Sequence, residues 1–142
     1  MAIVNRLPSG AGMEKELLWE NPNPRQAMGN TTITVPNISD YDYIMFETYV
    51  APLSATIPDV VYQTLCRVDD IKNKIGGYYG RPLTLSCVYS ISSSSWVTFT
   101  RLIAWPSLTQ CNFQTNTRIN TSDQYNGINV PWKIYGVKGE IK

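Results

Sequence analysis

The apolar residues of this chain keep a period of two. Thr31–Pro36, TTITVP, sets Ile33 and Val35 against threonines, the alternation of a half-buried strand. Tyr41–Val50 continues it. Tyr41, Tyr43, Met45, Glu47 and Tyr49 share one face, and Ile44, Phe46, Thr48 and Val50 share a core-directed one. Further strands are predicted over Asp59–Val68, Leu83–Ile91 and Ser95–Trp105, the last two joined as a hairpin through Ser92–Ser95. CNFQTNTRI and GINVPWKIYGVKGEI complete the set, and VDDIKNKI is the one segment with room for a helical turn. Strands every ten to fifteen residues, with turn residues between them, predict an all-β fold. The expected architecture is an antiparallel β-sandwich, jelly-roll-like.

The first residues break the pattern. IVNRL is a short apolar patch, and PSGAG behind it is a flexible link. The reading is an N-terminal arm over residues 1–16, with Ile3, Val4, Arg6 and Leu7 as its docking residues, followed by one domain over 17–142. A chain of 142 residues has room for one such core and not for two. The apolar run at the start is too short for a signal peptide. No stretch reaches the roughly 20 apolar residues of a membrane helix, so no membrane partner is expected.

Composition sharpens this picture. Charged residues are 16% of the chain, and Ser, Thr and Asn number 11, 13 and 11. Thr suits pleated surfaces, and Ser and Asn bond their own backbone at turns. The net charge is +1 with no Lys/Arg run, so no nucleic-acid partner is expected. RVDDIKNK is mixed in sign and reads as a solvated face.

Histidine is absent, which removes Ser-His-Asp and Cys-His nucleophiles and the commonest metal ligand. Cys66, Cys87 and Cys111 have no metal-site spacing, and an odd number closes no disulfide framework. Cys66 and Cys87 lie in apolar runs and read as small buried hydrophobes, consistent with synthesis in a reducing cytoplasm. Glu14 with Glu16, Asp40 with Asp42, and Asp69 with Asp70 are the carboxylate pairs a glycosidase could use. Such neighbours are common on solvated surfaces, and no enzyme, metal or cofactor is expected. GGYYG lacks the Lys-Ser/Thr step of a phosphate loop and reads as a turn.

The aromatics are more informative: four Trp and nine Tyr in one small domain. Tyr41, Tyr43 and Tyr49 on one strand face, Tyr78, Tyr79 and Arg81 on the glycine loop, and Trp105 form a candidate surface. Aromatic rings of this kind serve subunit contacts, or stack on sugar rings of a cell-surface glycan.

Two segments together carry a resemblance. LLWENPNP followed by TTITVPNISDYDYIMFE, and the closing INVPWKIYGVKGEIK, resemble small β-domains of bacteriophage and prophage structural proteins of Gram-positive hosts. In that family a Trp-Asn-Pro opening leads to a Thr-rich strand and a Leu-Ser-x-Tyr-Asp step, and the domain closes on IPYKIYGIK. The likeness spans Leu17 to Lys138, with Ala51–Arg118 matching in rhythm only. Ile38, Trp132 and the GEIK tail depart from the pattern.

The resemblance implies a virion part, made in the host bacterial cytoplasm: a head-decoration, head-fibre or tail-tip component. Its partners would be capsid or tail proteins, docked through the arm, and other copies of itself, with a trimer the expected homo-oligomer. The other reading is a carbohydrate-binding module for host attachment. Independently of the family, Asn-Pro steps hold the chain extended, and Pro131 inside a strand suits an edge or a bulge. The first and last strands are expected to be neighbours, with Trp19 and Trp132 sealing one end.

Overall fold

The computed structural model describes residues 14–50, 60–75, 83–92 and 95–139. Eight strands form there: β1 (Glu14–Glu20), β2 (Thr31–Thr34), β3 (Tyr43–Tyr49), β4 (Val61–Arg67), β5 (Leu83–Ser92), β6 (Ser95–Ser107), β7 (Gln110–Arg118) and β8 (Val130–Lys138). One short helix, α1 (Val68–Lys72), follows β4, and a 3₁₀ turn spans Ile38–Asp40. Two four-stranded sheets result, ordered β1-β8-β3-β4 and β2-β7-β6-β5, antiparallel throughout. The expected all-β sandwich is the fold. The chain's two ends wrap as they do in a jelly roll, β1 on β8 and β2 on β7, while the middle is built from the β3–β4 hairpin and the β5-β6-β7 meander.

Most strand expectations hold in detail. Ile44, Phe46, Thr48 and Val50 are all buried. Serines 92 and 95 pair at the end of the β5–β6 hairpin. The VDDIKNKI segment yields α1, with Asp69 and Asp70 in its first turn and Lys72 in its last, each sign suited to the helix dipole. Val68 and Ile71 of α1 are buried beside Ile38 in the main core. Residues 14–16 of the expected arm belong to β1, which starts at Glu14, and the rest of it lies outside the described residues. Ile3, Val4, Arg6 and Leu7 lie outside the described residues, as do Tyr78, Tyr79 and Arg81.

β1 and β8 are neighbours, as the chain's ends predict. Pro131 sits at a register shift between β3 and β8, the expected bulge, though in a central strand rather than at an edge. The side-chain amide of Asn21 donates to Pro131 O at 2.9 Å, and the Asn21 backbone N–H donates to Trp132 O at 2.8 Å. The first Asn-Pro step thereby satisfies carbonyls that the bulge frees from the ladder. Trp19 and Trp132 do not seal one end together. Trp19 packs inward on Phe113 at 5.8 Å between ring centroids, while Trp132 stacks on Tyr49 at 4.7 Å. A bulge re-aims the side chain it carries, and that is what separates the two indoles.

The interior is two apolar clusters with a polar layer between them. The larger cluster gathers Ile44, Phe46, Ile71, Leu85, Ile103, Trp105, Phe113 and Ile134 among others, and the smaller holds Val50, Cys87 and Phe99. Along the inward side of β6 the order is Phe99, Arg101, Ile103, Trp105. Arg101 is fully buried. It donates through Nε to Asn129 O (3.1 Å), through Nη1 to Met28 O and Gln114 O (both 2.8 Å), and through Nη2 to Ile128 O (3.4 Å). Those acceptors are backbone carbonyls, so one guanidinium fastens three separate segments. Burial lowers its pKa to about 10, which leaves it charged at neutral pH.

Two asparagines extend the layer. Asn129 holds a left-handed backbone (φ 56°), and its side-chain amide donates to Leu85 O at 2.9 Å and to Asn116 Oδ1 at 3.1 Å. Asn116 in turn donates to Tyr125 O at 2.9 Å. The long β7–β8 connection is therefore held to the sheet by polar groups sealed from water, where each bond is costly to lose.

Candidate interaction surface

The two outer faces of the sandwich carry different chemistry. On the β1-β8-β3-β4 sheet, register aligns three rows across all four strands. The middle row is Leu17, Tyr135, Met45 and Leu65. Leu17 and Leu65, at the two ends of this row on the edge strands, are 47% and 46% exposed. One flanking row is Lys15, Val137, Tyr43 and Arg67; the other is Glu20, Lys133, Glu47 and Gln63. Glu47 is nearly buried there and accepts from Gln63 Nε2 at 2.8 Å.

Three rings on this face, Trp132, Tyr49 and Tyr135, are engaged by neighbours. Trp132 stacks on Tyr49 with 27° between planes, and Lys133 Nζ lies 4.0 Å from the Trp132 ring centroid. Lys15 Nζ lies 4.4 Å from the centroid of Tyr135. These cation–π contacts hold two ammonium groups flat against the sheet beside the apolar row.

The predicted tyrosine face divides. Tyr43 and Tyr49 point outward with Met45, but Tyr41 precedes β3 and lies on the inner side, over Gly136. A Cβ at Gly136 would come within 2.6 Å of the Tyr41 ring, so glycine is required there by close approach. The Tyr41 hydroxyl donates to Glu16 Oε1. That bond, then desolvation and the charges of Glu16 and Asp40, push the phenol up to about 12. Glu14, Lys15, Glu16, Tyr41, Gly136 and Lys138 line a cleft of about 290 Å³ at this end of the sandwich. Trp105 is corrected outright: it is 1% exposed, packs 6.4 Å from Phe46, and has no surface to offer a sugar.

Of the carboxylate pairs, Glu14 and Glu16 both line this cleft. Glu16 is bonded by Tyr41, Asp42 accepts from the Gly139 N–H at 2.8 Å, and Asp69 and Asp70 lie in the first turn of α1. Among the described residues no group of three or more His, Cys, Asp or Glu is arranged to hold a metal ion. Cys87 and Cys111 are buried and Cys66 is half-buried, all three as free thiols. Burial raises the Cys66 thiol to about 11 and that of Cys87 to about 12, the wrong direction for a nucleophile at neutral pH.

The outer face of the β2-β7-β6-β5 sheet is hydroxyl- and amide-rich. Ser86 and Thr100 hydroxyls meet at 3.1 Å, Thr117 donates to Thr100 O at 3.4 Å, and Asn112 Nδ2 donates to Asn30 Oδ1 and Thr32 Oγ1, both at 2.9 Å. Its exposed apolar residues include Val88, 43% exposed, and Trp96, 74% exposed near the tip of the β5–β6 hairpin.

Sequence reasoning missed Arg101 and the Leu17–Leu65 row. The signal for Arg101 was present, since it falls at core parity in FTRLIAW, between Phe99 and Ile103. The row has no signal within any one strand, because it exists only once register is set. No family model matches the chain, and no curated protein matches it.

Proposed function

We propose that this chain is a bacteriophage virion structural protein, a head-decoration, head-fibre or tail-tip component that docks through its N-terminal arm and oligomerises. The sequence resemblance supplies the class. The observation that carries it is spatial. Of the segments that bear the resemblance, near opposite ends of the chain, the stretches in β1, β3 and β8 are contiguous in one sheet, while the Thr-rich stretch is β2 in the other. The adjacency of β1, β8 and β3 supports reading those stretches together.

The outward surface of the β1-β8-β3-β4 sheet carries exposed leucines on its edge strands, and neighbouring side chains take a face of Trp132, Tyr49 and Tyr135. Such a surface suits contact with protein better than stacking on sugars, which needs a free aromatic face. Host-attachment through a glycan is the second reading, and Trp96 favours it. This indole is largely exposed, on a face of Ser and Thr hydroxyls. Tyr43 and Tyr49, on the outer face of the other sheet, are secondary candidates for this reading.

Immunogold labelling of virions with an antibody to the chain tests the first reading. Label on heads or tails is the expected result, and its position distinguishes decoration from tail. Particles without label, from a lysate that contains the protein, overturn it. Glycan-array binding lost in Trp96→Ala would favour the second reading.

A further inference from the structure

The outer face of the β1-β8-β3-β4 sheet is self-complementary, and we infer that it pairs with the same face of a second copy about a twofold axis. This deepens the oligomerisation proposed above by assigning it an interface, and it stands apart from the question of virion location. Place the axis along the row Leu17, Tyr135, Met45 and Leu65, in the plane between two facing sheets. The rotation lays that apolar row on its own counterpart. It also exchanges the flanking rows, so that the row of Lys15 and Arg67 faces the row of Glu20 and Glu47.

Lys15 then faces the second copy's Glu20, and Arg67 faces its Gln63. Each contact occurs twice, as an isologous interface requires. Lys15 and Glu20 belong to the same strand, five residues apart, too far to pair within one copy. A threefold arrangement makes no such use of the face, since a heterologous contact joins two different patches. Sheets packed face to face sit about 10 Å apart with side chains interdigitated, and the half-exposed leucines supply those side chains.

The three rows cover a face roughly 14 Å between its outer strands, a small contact, so association is sought in the micromolar range. Sedimentation equilibrium of the full chain, up to about 100 µM, tests this at the upper end of that range. The expected result is a species of twice 16.0 kDa at the higher concentrations. Leu65→Glu, at an exposed position that leaves the fold intact, should weaken association by about tenfold or more. Lys15→Glu and Glu20→Lys should each weaken it, while the double variant, which restores opposite charges across the axis, should recover most of the loss.

A monomer across the whole range overturns the inference, as does a dimer or trimer indifferent to all of these changes. Equal loss in the double variant overturns the twofold geometry. Circular dichroism and thermal melts of each variant separate a broken interface from a broken fold. Virion labelling bears only on location, so failure of one does not imply failure of the other.

Discussion

The two sheets divide polar and apolar work in opposite ways. The β2-β7-β6-β5 sheet turns hydroxyls and amides to water and keeps a charged guanidinium inside. The β1-β8-β3-β4 sheet packs Ile44, Phe46 and Ile134 inward, yet leaves Leu17 and Leu65 half in water outside. Burying a charge and exposing leucines both cost free energy, and each needs its own reason. For Arg101 the reason lies inside the molecule, in four carbonyls from three segments that no apolar residue could satisfy. For the leucines none of the described residues supplies one, which directs attention to a surface beyond them. Unfavourable features explained within the fold are structural, and those left unexplained within it point to a partner.

The strongest way to break this contrast is to empty the polar layer. Arg101→Met leaves the carbonyls of Met28, Gln114, Ile128 and Asn129 without their donor in a dry interior. Denaturant unfolding should register a loss of roughly 3–5 kcal/mol, the cost of breaking a buried charged group's network. A change under about 1 kcal/mol would mean water or a rearranged loop satisfies those groups, and that the layer is not a fastening. Arg101→Lys should fall between, because a point charge cannot reach acceptors spread around a planar fork.

Next in size is the closing contact of the other sheet. Gly136→Ala drives a methyl into the Tyr41 ring and should destabilise by about 1–3 kcal/mol. Tyr41→Ala alone removes the ring and its bond to Glu16. Combined with Gly136→Ala, it should remove most of the clash, so the two changes are far from additive. Additive losses would show that Gly136 is needed for another reason.

A smaller effect appears in alkali. The folded Tyr41 phenol ionises near 12, above its ordinary 10.0. Between those values the folded protein holds a proton that the unfolded chain has lost. Its contribution is full below pH 10 and disappears as pH rises through 12. Cys66 and Cys87, raised from 9.0, act in the same sense from pH 9 upward, and Arg101, lowered from 12.5, acts in the opposite sense. Comparing unfolding of the wild type with Tyr41→Phe isolates the tyrosine: the variant should lose less stability between pH 10 and 12. Parallel curves would remove the Glu16 bond as the cause.

The smallest effects sharpen the contrast between outer faces. Ser86→Ala should stay within about 0.5 kcal/mol, and so should Leu65→Glu, as surface changes on an intact fold. Only the second should alter the molecular mass at high concentration. If Ser86→Ala also changed association, the hydroxyl face would share the interface, and the division between the sheets would fail.

How much of this was open to reading in advance depends on the range of each interaction. Period-two alternation places Ile44, Phe46, Thr48 and Val50 inside, because a strand turns successive side chains to opposite faces whatever its neighbours do. The Ser92–Ser95 hairpin, the single helical turn and the bulge at Pro131 are equally local. The composition of the chain carries the β class, and the lack of histidine removes the common nucleophilic arrangements. Tyr41 deceived the alternation because it lies before β3 starts, where the chain has left the pleat and the ring is free to fold over Gly136. Trp105 has the aromatic character of a surface residue and the parity of a core one, and parity was the better guide.

What the sequence determined by itself was therefore the alternation: strands, their turns, and which side of each strand faces the core. These follow from steric rules acting over two to five residues. Tertiary structure alone decided which strands are neighbours and in what register. Only then do Leu17, Tyr135, Met45 and Leu65, separated by up to 118 positions in the chain, fall into one row. Only then does Arg101 find carbonyls from Met28 to Asn129 within reach. Register is fixed by burial of the inner faces, and the outer faces inherit whatever alignment that burial imposes.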